Sequence, residues 1–350
     1  MRVLVTGHGG YLGSILVPEL VRAGHAVTGL DSGLFDDCVL READFPDTPV
    51  PVRTIRKDIR ETAPGDFEGQ DAVIHLAGLS NDPLGSFDPD LTKEINHLAA
   101  VRVARHAKSA GVRILLAASS CSVYGASGDE LLTETSPFAP VTPYAVSKLR
   151  MEEDIGKLAD ASFAPVFLRS GTVYGLSPMI RFDLVVNNLV AWACATGEVF
   201  LKSDGKAWRP LVHAADVARS FAAMVSLPAE RVGGEAFNIA DNAQNVTIIE
   251  LAKKIAGQVC DGRLRFSRTA DTDRRNYKVS GDKLLAMLGG DWFRYDVDSE
   301  VTRLAEAFRK AKLTPEDIEG ARFSRLPHLK RAIACGRIDD RLFASPVLAD

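Results

Sequence analysis

Residues 2–31 read RVLVTGHGGYLGSILVPELVRAGHAVTGLD, and this stretch determines the fold that the whole sequence predicts. A short β-branched run at 2–6 leads into a glycine cluster, then into an apolar-periodic helix at 14–23 and a second strand at 26–30. The same cycle repeats along the chain. Fully apolar strands that alternate with helices are typical of a parallel sheet covered on both faces. The sequence therefore predicts an α/β fold with a Rossmann-type, doubly wound parallel sheet.

The glycines of the first turn, Gly7, Gly10 and Gly13, stand where a dinucleotide-binding turn needs them. Gly7 permits the tight turn, Gly10 lets the backbone approach a pyrophosphate, and Gly13 allows the helix to pack closely on the strand. Successive glycines of this turn are three residues apart in both intervals, whereas the commoner fingerprint has an interval of two residues followed by one of three. Tyr11 and Leu12 lie at the start of the helix, whose N–H groups favour a phosphate. We therefore expect residues 7–13 to bind the pyrophosphate of a dinucleotide.

Asp31 ends the second strand, 18 residues after Gly13. A carboxylate there accepts hydrogen bonds from the ribose hydroxyls of NAD and repels the 2′-phosphate of NADP. Residues 32–35 contain no arginine that would bind such a phosphate, so NAD is favoured over NADP. Asp58 and Ile59 follow a strand predicted at 52–55 and are candidates for the adenine edge of the same site. A solvated loop is the alternative for these two residues.

Hydroxyl side chains, those of Ser119 and Ser120, follow the strand predicted at 114–118. This is the carboxyl end of the sheet, where open α/β sheets bind ligands. Tyr144 and Lys148 lie four residues apart and so share one face of a helix predicted at 144–158. A nearby ammonium group stabilises phenolate and lowers the pKa of a tyrosine. Together these residues predict an acid/base site in which Tyr144 transfers a proton and Ser120 binds the same substrate oxygen.

With these motifs in place, the sequence resembles the NAD-dependent epimerase/dehydratase family of extended short-chain dehydrogenases/reductases, whose members act on nucleotide sugars. The resemblance covers nearly the whole chain, through residues 7–13, 31, 58–60, 75–78, 119–125, 144–148 and 169–175. It implies NAD as the cofactor, no metal, and a homodimer. It implies that Lys148 holds the nicotinamide ribose. Further cofactor contacts that it implies are Leu76, Ala77, Gly78, Ser80, Ser119 and Val173.

The resemblance extends to a second lobe, where it implies a pocket for a nucleotide-diphosphate sugar. Arg209 and Arg275 are expected to bind the pyrophosphate, because arginine forms bidentate, charge-assisted bonds with phosphate. Pairing with surface carboxylates is the alternative for both. Asn96, in a helix predicted at 91–110, resembles an asparagine of the family, and a structural role is equally open. Other substrate contacts implied are Asn188 with a phosphate, Phe200 and Leu201 with the base, Thr172 with the sugar, and the segment 81–85 above it.

Epimerisation of the sugar at C4, through a 4-keto intermediate, is the leading hypothesis for the function. Cys121 and Ser122 stand where dehydratases and decarboxylating members of the family carry an acidic residue. The sequence therefore argues against dehydration, and it argues less strongly against decarboxylation. A nucleotide-sugar 4-ketoreductase or dehydrogenase of the same fold is the near alternative. The distant alternatives are an NAD-dependent alcohol dehydrogenase on a sterol or amino acid and a non-catalytic NAD-sensing module.

The 350 residues are enough for one large domain and a smaller one. We expect residues 1–175, with a returning segment 211–242, to form the NAD-binding domain, and residues 176–210 and 243–350 to form a smaller C-terminal substrate lobe. A net charge of −4, with no block of like charge, argues against a nucleic-acid or membrane surface. Five scattered cysteines fit a reducing compartment, and no apolar run is long enough to span a bilayer, so a cytoplasmic location is expected.

Overall fold

The computed structural model describes residues 1–41, 43, 45, 50–271 and 275–344. Within them the strands, numbered in chain order, are β1 (Arg2–Thr6), β2 (Ala26–Asp31), β3 (Arg53–Arg56), β4 (Ala72–His75), β5 (Ile114–Ser120), β6 (Ala126–Leu132), β7 (Ala164–Ser170), β8 (Thr172–Tyr174), β9 (Val199–Ser203), β10 (Trp208–His213), β11 (Ala236–Ile239), β12 (Asn245–Thr247), β13 (Leu264–Asp271) and β14 (Asn276–Val279). The α-helices are α1 (Gly13–Arg22), α2 (Asp82–Phe87), α3 (Pro89–Lys93), α4 (Ala100–Ser109), α5 (Pro143–Gly156), α6 (Val185–Thr196), α7 (Ala214–Met224), α8 (Ala229–Val232), α9 (Ile248–Val259), α10 (Asp282–Leu288), α11 (Val297–Lys310), α12 (Pro315–Glu319) and α13 (Arg325–Ala334). A π-helical turn, Glu94–Ala99, joins α3 to α4. Short 3-10 turns lie at Ile59–Glu61, Pro64–Phe67, Cys121–Tyr124 and Asn242–Gln244.

Seven of the described strands form one parallel sheet, in the order β11-β7-β5-β4-β1-β2-β3. The chain winds outward in opposite directions from β1 and β4, so these neighbours flank the switch point at which doubly wound sheets bind ligands. Alternate residues of β1 enter different cores. Val3 and Val5 pack with α1 and α7, whereas Leu4 packs with α4 and α5 on the other face. Both faces are covered, and the predicted Rossmann-type fold is confirmed.

The turn after β1 is built on glycine because backbone atoms crowd it. Gly7 has a φ of +74°, and a Cβ there would lie 2.7 Å from the backbone nitrogen of Ala77, just after β4. A Cβ at Gly13 would lie 2.3 Å from the carbonyl oxygen of Gly7. Since no side chain fits either position, α1 starts directly against the turn, and β1 and β4 stay close at their carboxyl ends.

A third core lies away from the sheet, where α6, α9 and α11 pack on one another around residues such as Val190, Ile255 and Phe308. The chain returns to the sheet through α7, which packs on α1, and through β11, which pairs with β7. Helix α13 also returns, and its Leu329 joins the core beneath α4 and α5. The domain boundaries given above stay a prediction, and α13 packs on the sheet side rather than within the third core.

The helix predicted at 91–110 is interrupted by the π-helical turn, which contains Asn96. Asn96 is buried, and its side chain is bonded to the loop after β4. Its Oδ1 accepts from the backbone N–H of Leu79 at 2.7 Å, and its Nδ2 donates to the Leu79 carbonyl oxygen at 2.9 Å. Single π turns inside α-helices are frequent at functional sites. Asn96 therefore has a structural role, which is to hold the loop that the sequence assigns to the cofactor.

We expect Gly13→Ala to lower the free energy of unfolding by about 1–3 kcal/mol and to weaken NAD binding, because the added methyl group overlaps the Gly7 carbonyl oxygen. Thermal unfolding followed by circular dichroism, and isothermal titration with NAD, measure the two effects. Gly257→Ala is the matched control. Gly257 lies inside α9 with open space around its Cβ position, so alanine there stabilises the helix by about 0.5–1 kcal/mol. Unchanged stability and NAD affinity in Gly13→Ala would contradict the crowding of this turn.

Candidate active site

A cleft of about 420 Å³ opens at the carboxyl ends of β1, β2, β4 and β5, the edge that contains the switch point. All the residues predicted to bind the cofactor line it: Gly7, Gly10, Tyr11, Leu12, Gly13, Asp31, Asp58, Ile59, Leu76, Ala77, Gly78, Ser80, Ser119, Tyr144, Lys148 and Val173. Four residues predicted to bind substrate also line it, namely Ser120, Thr172, Arg209 and Arg275. One cleft thus brings together the glycine turn, the acid after β2 and the hydroxyl groups after β5. The individual roles of these residues stay predictions.

Three residues predicted to bind substrate are not among the described residues that line the cleft. Leu201 is 2% exposed and belongs to the third core. The ring of Phe200 packs on that of Trp192, with 5.4 Å between the ring centres. Packing therefore occupies the Leu201 side chain and one side of the half-buried Phe200 ring, and the contacts of both residues with a base stay predictions. Asn188 donates one side-chain N–H to the Phe182 carbonyl oxygen at 2.7 Å, and its bond to a phosphate stays a prediction.

The two acids on the cofactor side are fixed by groups of the protein itself. Asp31 accepts from the backbone N–H of Gly9 at 3.1 Å through Oδ2, and from that of Gly33 at 2.8 Å through Oδ1. Asp58 accepts from the Arg60 guanidinium at 2.7 and 2.9 Å. A rigid carboxylate beside the glycine turn fits the ribose of a dinucleotide, because it needs no reorganisation to accept hydrogen bonds from the two hydroxyl groups.

The glycine turn itself fits a pyrophosphate. Gly7 and Gly10 line the cleft without side chains, so the backbone there and the N-terminus of α1 face the ligand space directly. The residues present can therefore hold NAD along this side. Within the described ranges, no group of three or more His, Cys, Asp or Glu residues is arranged to hold a metal ion. Nor does that part of the chain contain a helix long and apolar enough to cross a membrane.

Tyr144 and Ser120 meet in the cleft. Thr142 caps α5 by accepting from the Ala145 N–H at 3.2 Å, which places Tyr144 in the first turn of the helix. The Tyr144 hydroxyl is hydrogen-bonded to Ser120, the last residue of β5. Burial raises the pKa of Tyr144 to about 12, while the charge of Arg181 and the bond to Ser120 act to lower it. The arrangement keeps the Tyr144 phenol protonated beside a neighbouring hydroxyl group.

Lys148 lies one helical turn after Tyr144, as the spacing predicts, but its ammonium group bonds elsewhere. Its Nζ donates to the Ala118 carbonyl oxygen at 2.8 Å and lies 5.9 Å from the centre of the Tyr144 ring. Burial lowers the pKa of Lys148 to about 8, against the opposing influence of the Glu152 carboxylate. The nearby charge that most lowers the pKa of Tyr144 is that of Arg181. The effect of Lys148 on Tyr144 stays a prediction.

A buried ion pair lies behind Ser119. Arg169 of β7 donates from Nη2 to Oε2 of Glu152 at 2.6 Å, and from Nε to Oε1 at 3.0 Å. The Ser119 hydroxyl donates to the same carboxylate. Arg169 also donates to the Tyr124 hydroxyl at 3.0 Å, and Tyr124 donates to Asn238 at 2.7 Å. The network connects β5, α5, β7 and β11, so the groups at the ends of these elements keep a fixed relation to one another.

Arg181 and Asp183 line the cleft although the sequence does not single them out. Arg181 donates to Asp183 at 2.5 Å, and to the hydroxyl and carbonyl oxygens of Ser80 at 2.9 and 3.1 Å. Asn81 donates to the same Asp183 carboxylate at 2.9 Å. These bonds join the loop after β4 to the segment before α6. The one available signal, a basic and an acidic residue two positions apart in a loop, is too common to mark a site.

The C-terminal segment closes the end of the cleft that contains Asp58. Leu342 is 3% exposed and lines the cleft. The Phe343 ring lies under the Arg60 guanidinium, 3.7 Å from its central carbon, and Arg60 donates to the Arg341 carbonyl oxygen at 2.8 Å. Residues nearly 300 positions apart in the chain thus meet here, which no local sequence pattern reveals.

Known proteins resemble this chain along most of its length. Residues 3–240 match the model of the NAD dependent epimerase/dehydratase family. The UDP-glucose 4-epimerase of Mycolicibacterium smegmatis is 30% identical over 276 residues, which cover 74% of this chain and 83% of that protein. The UDP-glucose 4-epimerase of Streptococcus mutans is 26% identical over 321 residues, which cover 83% and 91%. Among solved structures, MoeE5 in complex with UDP-glucose and NAD has a TM-score of 0.74 and 26% identity, covering 89% of this chain and 99% of that chain. The predicted family and the predicted cofactor, NAD, are confirmed.

Replacing Lys148 by methionine removes a buried ammonium group and keeps the length of the side chain. This ammonium loses its proton near pH 8 in the folded protein, against the usual pKa of 10.5. The unfolded chain therefore binds more protons between these pH values, and wild-type stability rises with pH there. We expect Lys148→Met to raise the free energy of unfolding by about 1–3 kcal/mol at pH 7, and the gain to shrink between pH 8 and 10.5.

Urea unfolding at pH 7, 9 and 10.5 measures this gain. Lys157→Met is the matched control, because the Lys157 side chain is 73% exposed at the end of the same helix. It should show no such gain at any of the three pH values. A Lys148→Met protein less stable than the wild type at pH 7 would show that the bond to the Ala118 carbonyl outweighs the cost of burying the charge.

Shortening Leu342 and Phe343 together to alanine should weaken NAD binding about tenfold, because Leu342 lines the Asp58 end of the cleft and Phe343 packs on Arg60, which is bonded to Asp58. Isothermal titration calorimetry with NAD gives the dissociation constant directly. Leu131→Ala serves as the control, since Leu131 is 55% exposed and does not line the cleft. An unchanged NAD dissociation constant in the double variant would show that this segment does not contact the cofactor.

Proposed function

The chain belongs to the NAD dependent epimerase/dehydratase family, and on that premise we propose that it is an NAD-dependent epimerase that inverts C4 of a UDP-hexose through a 4-keto intermediate. One observation carries the proposal. Tyr144 is hydrogen-bonded to Ser120 in the same cleft as the glycine turn and Asp31, so the acid/base group and the cofactor side face one space. The relatives named UDP-glucose 4-epimerase support the choice of nucleotide and of carbon.

In this proposal Tyr144 takes the proton of the sugar 4-hydroxyl as the ketone forms, and returns it when the ketone is reduced. Ser120 is bonded to Tyr144 and holds the same oxygen in line. Lys148 anchors the ribose of the cofactor one turn along α5, and Asp31 the other ribose. NAD, when bound, supplies the reversible hydride transfer at C4. The cycle is redox-neutral, so no external reductant is consumed.

Two arginines on the far side of the cleft support a diphosphate contact. Arg209 is 4% exposed and donates to the carbonyl oxygens of Trp208 and Arg275 at 2.7 and 2.5 Å. Arg275 donates to Asp82 at 2.6 Å and lines the same cleft. Two guanidinium groups that line one cleft suit the paired charges of a pyrophosphate. Contacts to the nucleotide then supply the binding energy that places C4 against Tyr144.

The residues after Ser120 favour epimerisation over dehydration. Ser122 lines the cleft, whereas Cys121 is fully buried behind it, with its Sγ 3.2 Å from the Arg169 carbonyl oxygen. This position therefore presents a hydroxyl group where elimination of a 6-hydroxyl needs a further carboxylic acid. A homodimer and a cytoplasmic location, both expected from the sequence, stay predictions within this proposal.

Purified protein incubated with UDP-galactose and no added cofactor should form UDP-glucose until the two reach equilibrium, as followed by ¹H NMR. Tyr144→Phe should lower kcat by a factor of about 10²–10⁴, because the phenol oxygen that takes the proton is gone. Its NAD affinity should stay at the wild-type value. Tyr295→Phe, which removes a hydroxyl group outside the cleft, is the control and should keep full activity.

Two outcomes would change the proposal. NADH formed in proportion to the UDP-galactose consumed, once NAD is added, would identify a dehydrogenase or a 4-ketoreductase that runs in reverse, because an epimerase regenerates its cofactor in each cycle. Wild-type kcat in Tyr144→Phe would refute the role of this residue. The NAD affinity of the variant separates loss of chemistry from loss of the folded cleft.

A further inference from the structure

Asp82 is the first residue of α2 and lines the cleft together with Tyr144 and Ser120. Helix α2 packs tightly on the start of α5, since a Cβ at Gly85 would lie 3.0 Å from the Cβ of Tyr144. The Asp82 carboxylate also raises the pKa of Tyr144, an influence smaller only than burial and the opposing charge of Arg181. Asp82 and Tyr144 therefore face the same part of the cleft, at a separation that the helix contact maintains.

One oxygen of this carboxylate is bonded and the other is not. Oδ2 accepts from Nη1 of Arg275 at 2.6 Å. Oδ1 is buried and has no hydrogen-bond partner among the described residues. A buried acceptor without a donor costs about 1–3 kcal/mol, and more for a charged group. A donor on a molecule in the cleft would remove that cost, so Oδ1 has the properties of a ligand contact.

The charges around Asp82 indicate which kind of donor suits it. The ion pair with Arg275 is neutral as a unit, and the guanidinium of Arg181 is paired with Asp183 at 2.5 Å. A neutral hydroxyl group can donate to Oδ1 without disturbing this balance. A ligand carboxylate has no proton to donate at neutral pH and would face a like charge in a partly buried site, where repulsion is weakly screened.

We propose that Oδ1 of Asp82 accepts a hydrogen bond from a second hydroxyl of the sugar, beside the one that Tyr144 deprotonates, and thereby selects uncharged hexoses over hexuronic acids. The inference rests on the proposed function, because it takes a sugar to be the group that reaches Tyr144. Arg275 is a positioning residue here, since its bond to Oδ2 fixes the orientation of the carboxylate.

The test measures binding of UDP, UDP-glucose and UDP-glucuronic acid to the NAD-loaded protein by isothermal titration calorimetry. The wild type should bind UDP-glucose about tenfold more tightly than UDP-glucuronic acid, or better. Asp82→Ala should weaken UDP-glucose binding about tenfold, the loss of one hydrogen bond to a charged group, without weakening UDP. The isosteric Asp82→Asn can donate from its amide, so it should reduce the preference for UDP-glucose over UDP-glucuronic acid about tenfold.

Asp90→Asn is the matched control, because Asp90 is an exposed carboxylate of the neighbouring helix α3 and does not line the cleft. It should bind all three ligands as the wild type does. Two results overturn the inference and leave the proposed function standing: equal wild-type affinity for UDP-glucose and UDP-glucuronic acid, or wild-type UDP-glucose affinity in Asp82→Ala. A wild type that binds neither UDP nor UDP-glucose overturns the proposed function, and the inference with it.

Discussion

The close contact between the turn after β1 and the end of β4 sets the floor of the cleft. Gly7 lies so near Ala77 that a side chain would overlap its backbone nitrogen, and Gly13 brings α1 against the same turn. The strands at the switch point therefore end side by side, next to the N-terminus of α1. Asp31 is held against the turn by a bond from the backbone N–H of Gly9, and the loop after β4 is held by its bonds to Asn96. The cofactor side of the cleft is thus held largely by backbone contacts, which makes it rigid.

The side of the cleft that contains Tyr144 and Ser120 depends instead on a buried ion pair. Arg169 and Glu152 are each less than a tenth exposed, and removing two such charges from water costs several kcal/mol per ion. Well-packed apolar residues would join the strand and the helix at least as stably, so stability alone does not account for the pair. The pair also orients the groups around it, because Glu152 accepts a hydrogen bond from Ser119 and lies one helical turn from Lys148. The end of β5 and the helix that carries Tyr144 are thereby kept in one relation.

The parts of the site that could be predicted are those that local patterns encode. The glycine spacing, and the four-residue spacing of Tyr144 and Lys148, each lie within one β-α unit, so they need no knowledge of tertiary contacts. Arg181 and Leu342 reach the cleft from distant segments, and single charged or apolar residues are too common in sequences to stand out. Leu201 illustrates the converse, because an apolar side chain suits a core as well as it suits a base pocket, and only packing decides between them.

Charge pairing in the cleft links recognition of the nucleotide to recognition of the sugar. Arg275, proposed to bind the diphosphate, is also the residue that holds Asp82, proposed to bind a sugar hydroxyl. A diphosphate bound to Arg275 would compete with Asp82 for the same guanidinium group. The Asp82 carboxylate would then be less well neutralised, and a hydrogen bond from another donor would stabilise it more. A nucleotide without its sugar offers no such donor, whereas a hexose would supply one from a hydroxyl group beside Tyr144. If both proposals hold, part of the nucleotide's binding energy is realised only when the sugar lies beside Tyr144, which is how contacts remote from C4 would accelerate a reaction there.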